Sequence, residues 1–287
     1  MAADGSVAVA ATSKGIEILD PPSGDLLGVV DESSGGHVAA RGPSCVAVCA
    51  DGSRAVTGGG DSTVRVIDVD GGACTHVLRG HSSAVSVLAL TPDGVKAVSA
   101  GAEDGQVRVW WLGPTPGARE EDGGGAAGPR CLHVLRSTGA QVDHVSISAD
   151  GRFTACWEFS AARGASALRV WDSGAGRQLH VIKPAMGRGW ARAPAALSAD
   201  GTSLVLRAPG GALIVWDIPT GERAGSEPVA GEGEEVTCLA GTPSGGIVVG
   251  GLADGRFVWL DTRRATRAAS GGRAATASSY MPGCPRR

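Results

Sequence analysis

The chain has 287 residues, room for one large domain with a substantial buried core. Its formal net charge of −3 excludes a global electrostatic attraction to nucleic acid or to an anionic membrane surface. No apolar run approaches the ~18 residues of a membrane span, and no basic-then-apolar leader opens the chain, so the expected setting is cytoplasmic or nuclear. Gly contributes 46 residues beside an apolar fraction of 43%, which points to many tight turns rather than to disorder. Among the 26 basic residues only Lys14, Lys96 and Lys183 are Lys. With Ala and Gly so abundant, the Arg excess reads as compositional bias and not as a binding signature.

In chain order, residues 6–12, 15–20 and 25–30 read as three strands, with Pro21-Pro22-Ser23-Gly24 as the turn between the last two. A Gly/Ser-rich connection follows over 31–43, then a second unit over 44–79 and a third over 81–136. The third is the clearest. Val85, Val87 and the run 88–90 form one apolar segment, closed by Thr91-Pro92-Asp93-Gly94. Residues 96–100 form another, closed by Glu103-Asp104-Gly105, and Val107, Val109 and Trp110 form the next, with Arg108 on the opposite face. Period-two alternation bounded by Asp-Gly turns predicts an antiparallel meander. This unit carries an insert over 113–130 with Glu120-Glu121-Asp122 and Gly123-Gly124-Gly125, a composition expected to form a solvated, disordered loop. A fourth unit spans 141–183 with a small bulge at 160–165, a fifth 190–223 and a sixth 235–270. Residues 271–287 hold basic residues and no acid, and are expected to be a disordered basic tail.

Six third-strand endings align: Ile18-Leu19-Asp20, Val66-Ile67-Asp68, Val109-Trp110-Trp111, Val170-Trp171-Asp172, Val215-Trp216-Asp217 and Trp259-Leu260-Asp261. They are spaced by 48, 43, 61, 45 and 44 residues. His76 and His180 each follow their repeat's ending by 8 residues, whereas His133 follows by 22, so an insert of 14 explains the long interval. The turns Ala50-Asp51-Gly52, Pro92-Asp93-Gly94, Ala149-Asp150-Gly151 and Ala199-Asp200-Gly201 recur as well, and so does a fourth strand in three units, at Cys74, Cys131 and Gln178. A four-stranded repeat of ~40–45 residues is the period of a propeller blade.

Gly80-His81 leading into the third unit, Trp110 near its end, and the Trp171-Asp172 and Trp216-Asp217 pairs resemble the WD repeat. The resemblance covers nearly the whole chain. It implies an all-β WD-repeat β-propeller over residues 1–270, with six four-stranded antiparallel blades, the first lacking its innermost strand. It also implies a hydrogen-bonded set in each blade, made of a loop His, a strand-two Ser or Thr, a turn Asp and the strand-three Trp. Carried over by position, the third repeat has His81, Asp104 and Trp110, with Ala100 where the hydroxyl is expected. The second has Thr57 and Asp61 with Ile67 in place of Trp. The fourth and fifth keep Trp171 and Trp216, with Ala165 and Gly210 in place of Asp. The sixth keeps Asp254 with Leu260. No repeat is expected to hold the complete set.

Nothing in the sequence forms a catalytic or metal constellation, and no cofactor is expected. His76, His133 and His180 occupy one position on three successive outer strands, whereas metal ligands must converge to ~2 Å from one point. The seven cysteines are scattered, lack a Cys-x-x-Cys pair and read as core hydrophobes, with Cys45 and Cys49 on one face of a strand. Neither a phosphate-binding loop nor a Gly-x-Ser-x-Gly elbow occurs. What remains is binding. The resemblance implies that a protein or peptide partner docks on the face carrying the loops into each blade and the turns between strands two and three. Those place Arg41, Glu103, Gln141, Arg188, Trp190, Arg192, Glu232 and Glu235 near one rim. Trp190 stands out in a Gly/Arg/Ala-rich loop, since Trp and Arg are enriched at interface hot spots. The expected function is a non-catalytic interaction scaffold or adaptor, with no small-molecule substrate. The incomplete first repeat motivates an alternative, the sensory or autoinhibitory propeller of a larger signalling NTPase of the NACHT-plus-WD-repeat type.

Overall fold

Each repeat folds into one antiparallel sheet in a computed structural model that describes residues 1–12, 15–30, 43–114, 128–137, 141–160, 165–183, 195–208, 212–227, 236–241, 246–253 and 255–263. Blade 1 contains β1 (Ala8–Thr12), β2 (Gly15–Leu19) and β3 (Leu26–Val30). Blade 2 contains β4 (Pro43–Val48), β5 (Arg54–Gly59), β6 (Val64–Asp68) and β7 (Ala73–Leu78). Blade 3 contains β8 (Val85–Leu90), β9 (Lys96–Gly101), β10 (Gln106–Trp111) and β11 (Arg130–Arg136). Blade 4 contains β12 (Gln141–Ile147), β13 (Phe153–Ser160), β14 (Ala165–Asp172) and β15 (Arg177–Ile182). Blade 5 contains β16 (Ala195–Leu197), β17 (Ser203–Arg207), β18 (Leu213–Asp217) and β19 (Glu222–Glu227), and blade 6 contains β20 (Val236–Gly241), β21 (Ile247–Leu252) and β22 (Phe257–Asp261).

Strands within a sheet follow chain order, and the inner strands β4, β8, β12, β16 and β20 pack in succession. This is a WD-repeat β-propeller. Four-stranded sheets form blades 2 to 5, but among the described residues blades 1 and 6 are three-stranded. Blade 1 shows no innermost strand within the described residues. Blade 6 shows no outermost strand within the described residues, which departs from the expected four. Most of the 113–130 insert and all of 271–287 lie outside the described residues.

The core lies between blades, not within them. Period-two alternation gives the second and third strands of the middle blades two buried faces, and each face joins a different cluster. In blade 2, Ala55 and Ile67 face blade 1 with Ile16 and Ile18, while Val56, Val64 and Val66 face blade 3 with Ala97 and Trp110. Three further clusters join blades 3 to 4, 4 to 5 and 5 to 6. The signature Trp therefore fills the seam toward the preceding blade, and the ladder between third and fourth strands is bulged beside it at Val109/Trp110, Val170/Trp171 and Val215/Trp216.

Asp-Gly turns tie neighbouring blades together. Gly52, Gly94, Gly151 and Gly201 take φ of 75°, 69°, 65° and 66°, a region that favours glycine. The Asp51, Asp93, Asp150 and Asp200 carboxylates each accept the N–H two residues on. Across seams, Ala3 N donates to Ala50 O, Ala50 N to Pro92 O and Ala149 N to Ala199 O. Pro92 has no N–H to continue that rim, and Lys96 Nζ bridges the same seam by donating to Gly151 O at 3.2 Å. Arg54 reaches further, donating to Gly94 O, Gly113 O and Pro114 O, so it pins the start of the insert. Cys49 belongs to such a turn. It lies beyond β4, with its Sγ donating to Asp51 Oδ1 at 2.9 Å, and so it shares no strand face with Cys45.

Candidate functional site

The best-defined part of the loop face is built on blade 3. His81 Nδ1–H donates to Asp104 Oδ2 at 2.7 Å, and His81 Nε2 lies 2.8 Å from Ser99 Oγ. Trp110 Nε1 donates to the same Ser99 Oγ at 2.8 Å. The hydroxyl thus accepts from Trp110 and donates to His81, and the complete set of four is present. This corrects the expectation that Ala100 holds the hydroxyl position and that no repeat has the full set. Ser99 stands opposite Arg108, two residues before Trp110. Alternation sends Ser99 to the side of Trp110, while Ala100 joins the core toward blade 4. A one-residue slip in the strand reverses the face.

Burial makes this set a strut. Ser99 is 0% exposed. Its Ser-His-Asp order imitates a nucleophile with its base, but the Oγ is enclosed and engaged by the indole, so no substrate carbonyl can approach it. Burial is the largest influence on His81 and lowers its pKa below 6.5, against the opposing pull of the Asp104 carboxylate. The imidazole is therefore neutral at pH 7.

Equivalent positions in other blades are filled differently. Opposite the residue two before the signature position stand Thr57, Cys156 and Leu206 in blades 2, 4 and 5. In blade 2, Asp61 accepts from Thr63 and forms a 2.7 Å ion pair with Arg65. In blade 4, Glu158 pairs with Arg169 at 2.6 Å and accepts from Ser137 Oγ. Cys156 is fully buried and its thiol is pushed up to about 12, chiefly by desolvation. In blade 5 the partly buried Trp216 packs on the seam to blade 4, and its Nε1 is buried without a partner. Ala165 opens β14 and Gly210 lies outside the described residues, as does Asp254.

The strut stiffens the surface above it. Ser82 N donates to Asp104 Oδ2, Ser83 Oγ accepts from Glu103 N and Asp104 N, and Ala102 N donates to Ala84 O. Ser137 N, leading into blade 4, donates to Gly105 O at 2.8 Å. The loop into blade 3, its second turn and Ser137 therefore form one cross-linked platform. Glu103 in that turn and Gln141 at the start of β12 are exposed. Arg41, Arg188, Trp190, Arg192, Glu232 and Glu235 lie outside the described residues, so the structure does not bring them together with these two. Sequence reasoning missed Ser83, Ser137 and Glu158; only Ser99 had a legible signal, through its place opposite the residue two before Trp110.

Two of the three outer-strand histidines are seam latches. His133 Nε2–H donates to Gly174 O at 3.0 Å, and His180 Nε2–H to Ile218 O at 2.7 Å, each on the next blade. Among the described residues no group of three His, Cys, Asp or Glu side chains is placed to hold a metal ion.

Comparison with known proteins agrees with this geometry. Residues 31–68 and 72–110 match the family model described as "WD domain, G-beta repeat"; the first stretch contains β4–β6 and the second β7–β9 with nearly all of β10. The chain is 26% identical over 218 residues to transducin beta-like protein 3 of Bos taurus, covering 72% of the chain and 25% of that protein. It is 32% identical over 107 residues to cilia- and flagella-associated protein 52 of Chlamydomonas reinhardtii, covering 37% and 16%. It is 26% identical over 145 residues to pre-mRNA-processing factor 19 of Caenorhabditis elegans, covering 48% and 26%. The chain thus spans about a quarter or less of the length of these relatives. Two repeats matched by the family model, a full His-Ser-Trp-Asp strut beneath one of them, and seam-packed blades give this chain WD repeats and the fold of a WD-repeat β-propeller.

Proposed function

We propose that the chain is a non-catalytic scaffold whose rigid loop face binds a protein or peptide partner. The cross-linked platform on blade 3 carries this reading. A surface held by the buried strut loses little conformational freedom on binding, so more of its contact energy appears as affinity. The proposed contact set is Arg41, Glu103, Gln141, Arg188, Trp190, Arg192, Glu232 and Glu235, with Trp190 and its flanking arginines as anchors. The setting proposed is cytoplasmic or nuclear. None of the relatives named above is a signalling NTPase by its name, and nothing favours that alternative over the scaffold.

The test is quantitative capture from cells with wild-type chain and with a variant carrying Arg188→Glu, Arg192→Glu and Trp190→Ala. Loss of specific partners by the variant, at an unchanged thermal midpoint, supports the face. Retention of every partner removes it.

A further inference from the structure

The inner strands β8, β12, β16 and β20 of blades 3 to 6 enclose a cavity of about 220 Å³. Small side chains leave this room, since Ala89, Ala149, Ala195, Ala196, Ala199 and Ala240 all contribute to the lining. Pro92, Ala149 and Ala199 each precede the Asp of an Asp-Gly turn, so the cavity lies at the turn end of these strands, away from the loop-face platform. Strand spacing sets its width. A Cβ at Gly241 would collide with the Leu197 carbonyl oxygen, so β20 lies close against β16. Between β12 and β16, Ala149 N donates to Ala199 O at 2.9 Å, and the His144 imidazole takes the Ala195 backbone as its hydrogen-bond partner.

The wall has a definite chemistry. Among the described residues none of the lining side chains is Asp, Glu, Lys or Arg. Burial is the chief influence on His144 and lowers its pKa below 6.5, so the ring is neutral at pH 7. The bond to Ala195 opposes that shift, which makes the ring its donor and leaves the second ring nitrogen as an acceptor. His144 keeps partial exposure where it lines the cavity. Each inner strand ends its sheet, so among the described residues its second edge carries N–H and C=O groups without a ladder partner. An extended residue presents both groups on one side. Leu90, Ile147, Leu197 and Leu239 add apolar surface. The volume is below the ~300 Å³ at which drug-sized pockets begin, so an occupant must be compact.

We propose that this cavity binds a small uncharged cyclic amide, a molecule of the nucleobase or lactam class. Its adjacent donor and acceptor pair with a free strand edge and with the acceptor nitrogen of His144, while its ring face packs on the apolar side chains. An ionised ligand is excluded, because the wall offers it no counter-charge. The site is independent of the loop-face reading, and either can fail alone.

The probe is uracil, titrated into the 287-residue chain labelled at its alanine methyls and followed by methyl NMR. Two comparators are used: orotate, the same ring with a carboxylate, and toluene, a ring of similar size without a polar edge. Saturable shifts are expected at the six cavity alanines, with both comparators at least about tenfold weaker, as an unpaired buried ion and a lost hydrogen-bonding edge require. His144→Phe should weaken uracil about tenfold, whereas Ser146→Ala should bind as the wild type does, because the Ser146 Oγ is enclosed without a partner. The comparators need no variant, so they decide even where His144→Phe fails to fold. Five results overturn the proposal: no saturable shift with uracil, shifts confined to alanines elsewhere, equal binding of either comparator, undiminished binding by a folded His144→Phe chain, or an equal loss in both variants.

Discussion

At the residue scale, Ser99 bears the largest consequence. Its removal leaves Trp110 Nε1 and His81 Nε2 buried and unpaired, and each orphaned group costs ~1–3 kcal/mol. Ser99→Ala should therefore lower stability by about 2–4 kcal/mol, read from the urea midpoint. Ser86 is the control, because its Oγ is buried with no partner, and Ser86→Ala should be neutral or slightly stabilising. Equal losses at both sites would remove the strut as a stabilising unit. Acidification tests the same centre. Burial depresses the pKa of His81 and of His144 below 6.5. The unfolded chain then takes up protons that the folded chain refuses, so stability is full above pH ~6.5 and falls as pH drops through the folded values. Urea midpoints between pH 8 and pH 5 should decline, and a flat profile would place both imidazoles in water. The hydroxyl itself was only partly legible in sequence. Its type and neighbourhood were visible, but a one-residue error in strand register exchanged Ser99 for Ala100.

At the element scale, the Asp-Gly turns carry the seams as well as the hairpins. A Cβ on Gly201 would sit 2.5 Å from Phe153 Cδ2, and one on Gly151 2.6 Å from Lys96 Cδ. Both sites have positive φ, which any replacement residue resists. Gly151→Ala should cost ~1 kcal/mol, since the lysine chain can swing aside, and Gly201→Ala about 2–3, since the Phe153 ring is packed in the seam. Chemical denaturation of the two variants ranks them, and the reverse order would mean the ring is freer than the lysine. Thiol chemistry reports on strand faces. Cys238 is exposed on β20, whereas burial pushes Cys45 up to about 11 and Cys156 up to about 12. In the native chain a thiol-reactive probe should modify Cys238 while these two wait for unfolding.

At the scale of the whole molecule, five interblade cores join six blades in series. Among the described residues no sixth cluster joins blade 6 to blade 1, and Leu27 and Phe257, each 60% exposed, stand on those two outward blades. Stability in such an array is close to a sum of blade and seam contributions, so blades with one seam open first. Hydrogen exchange should accordingly be fastest in β1–β3 and β20–β22 and slowest in β5, β6, β9 and β10. Uniform protection across all six blades would show that the ring behaves as one cooperative unit.

Repeat number, strand order and turn positions were all determined by the sequence, because each rests on local patterning. Alternation, Asp-Gly turns and the Trp-Asp endings need no distant contact to be read. Tertiary structure alone decided what crosses a seam: the histidine latches, the Arg54 anchor, and the Glu158–Arg169 pair joined to Ser137. Those features depend on which blade lies beside which, and on which of its turns is within reach. Side-chain type records neither, because the partners sit a whole repeat away along the chain.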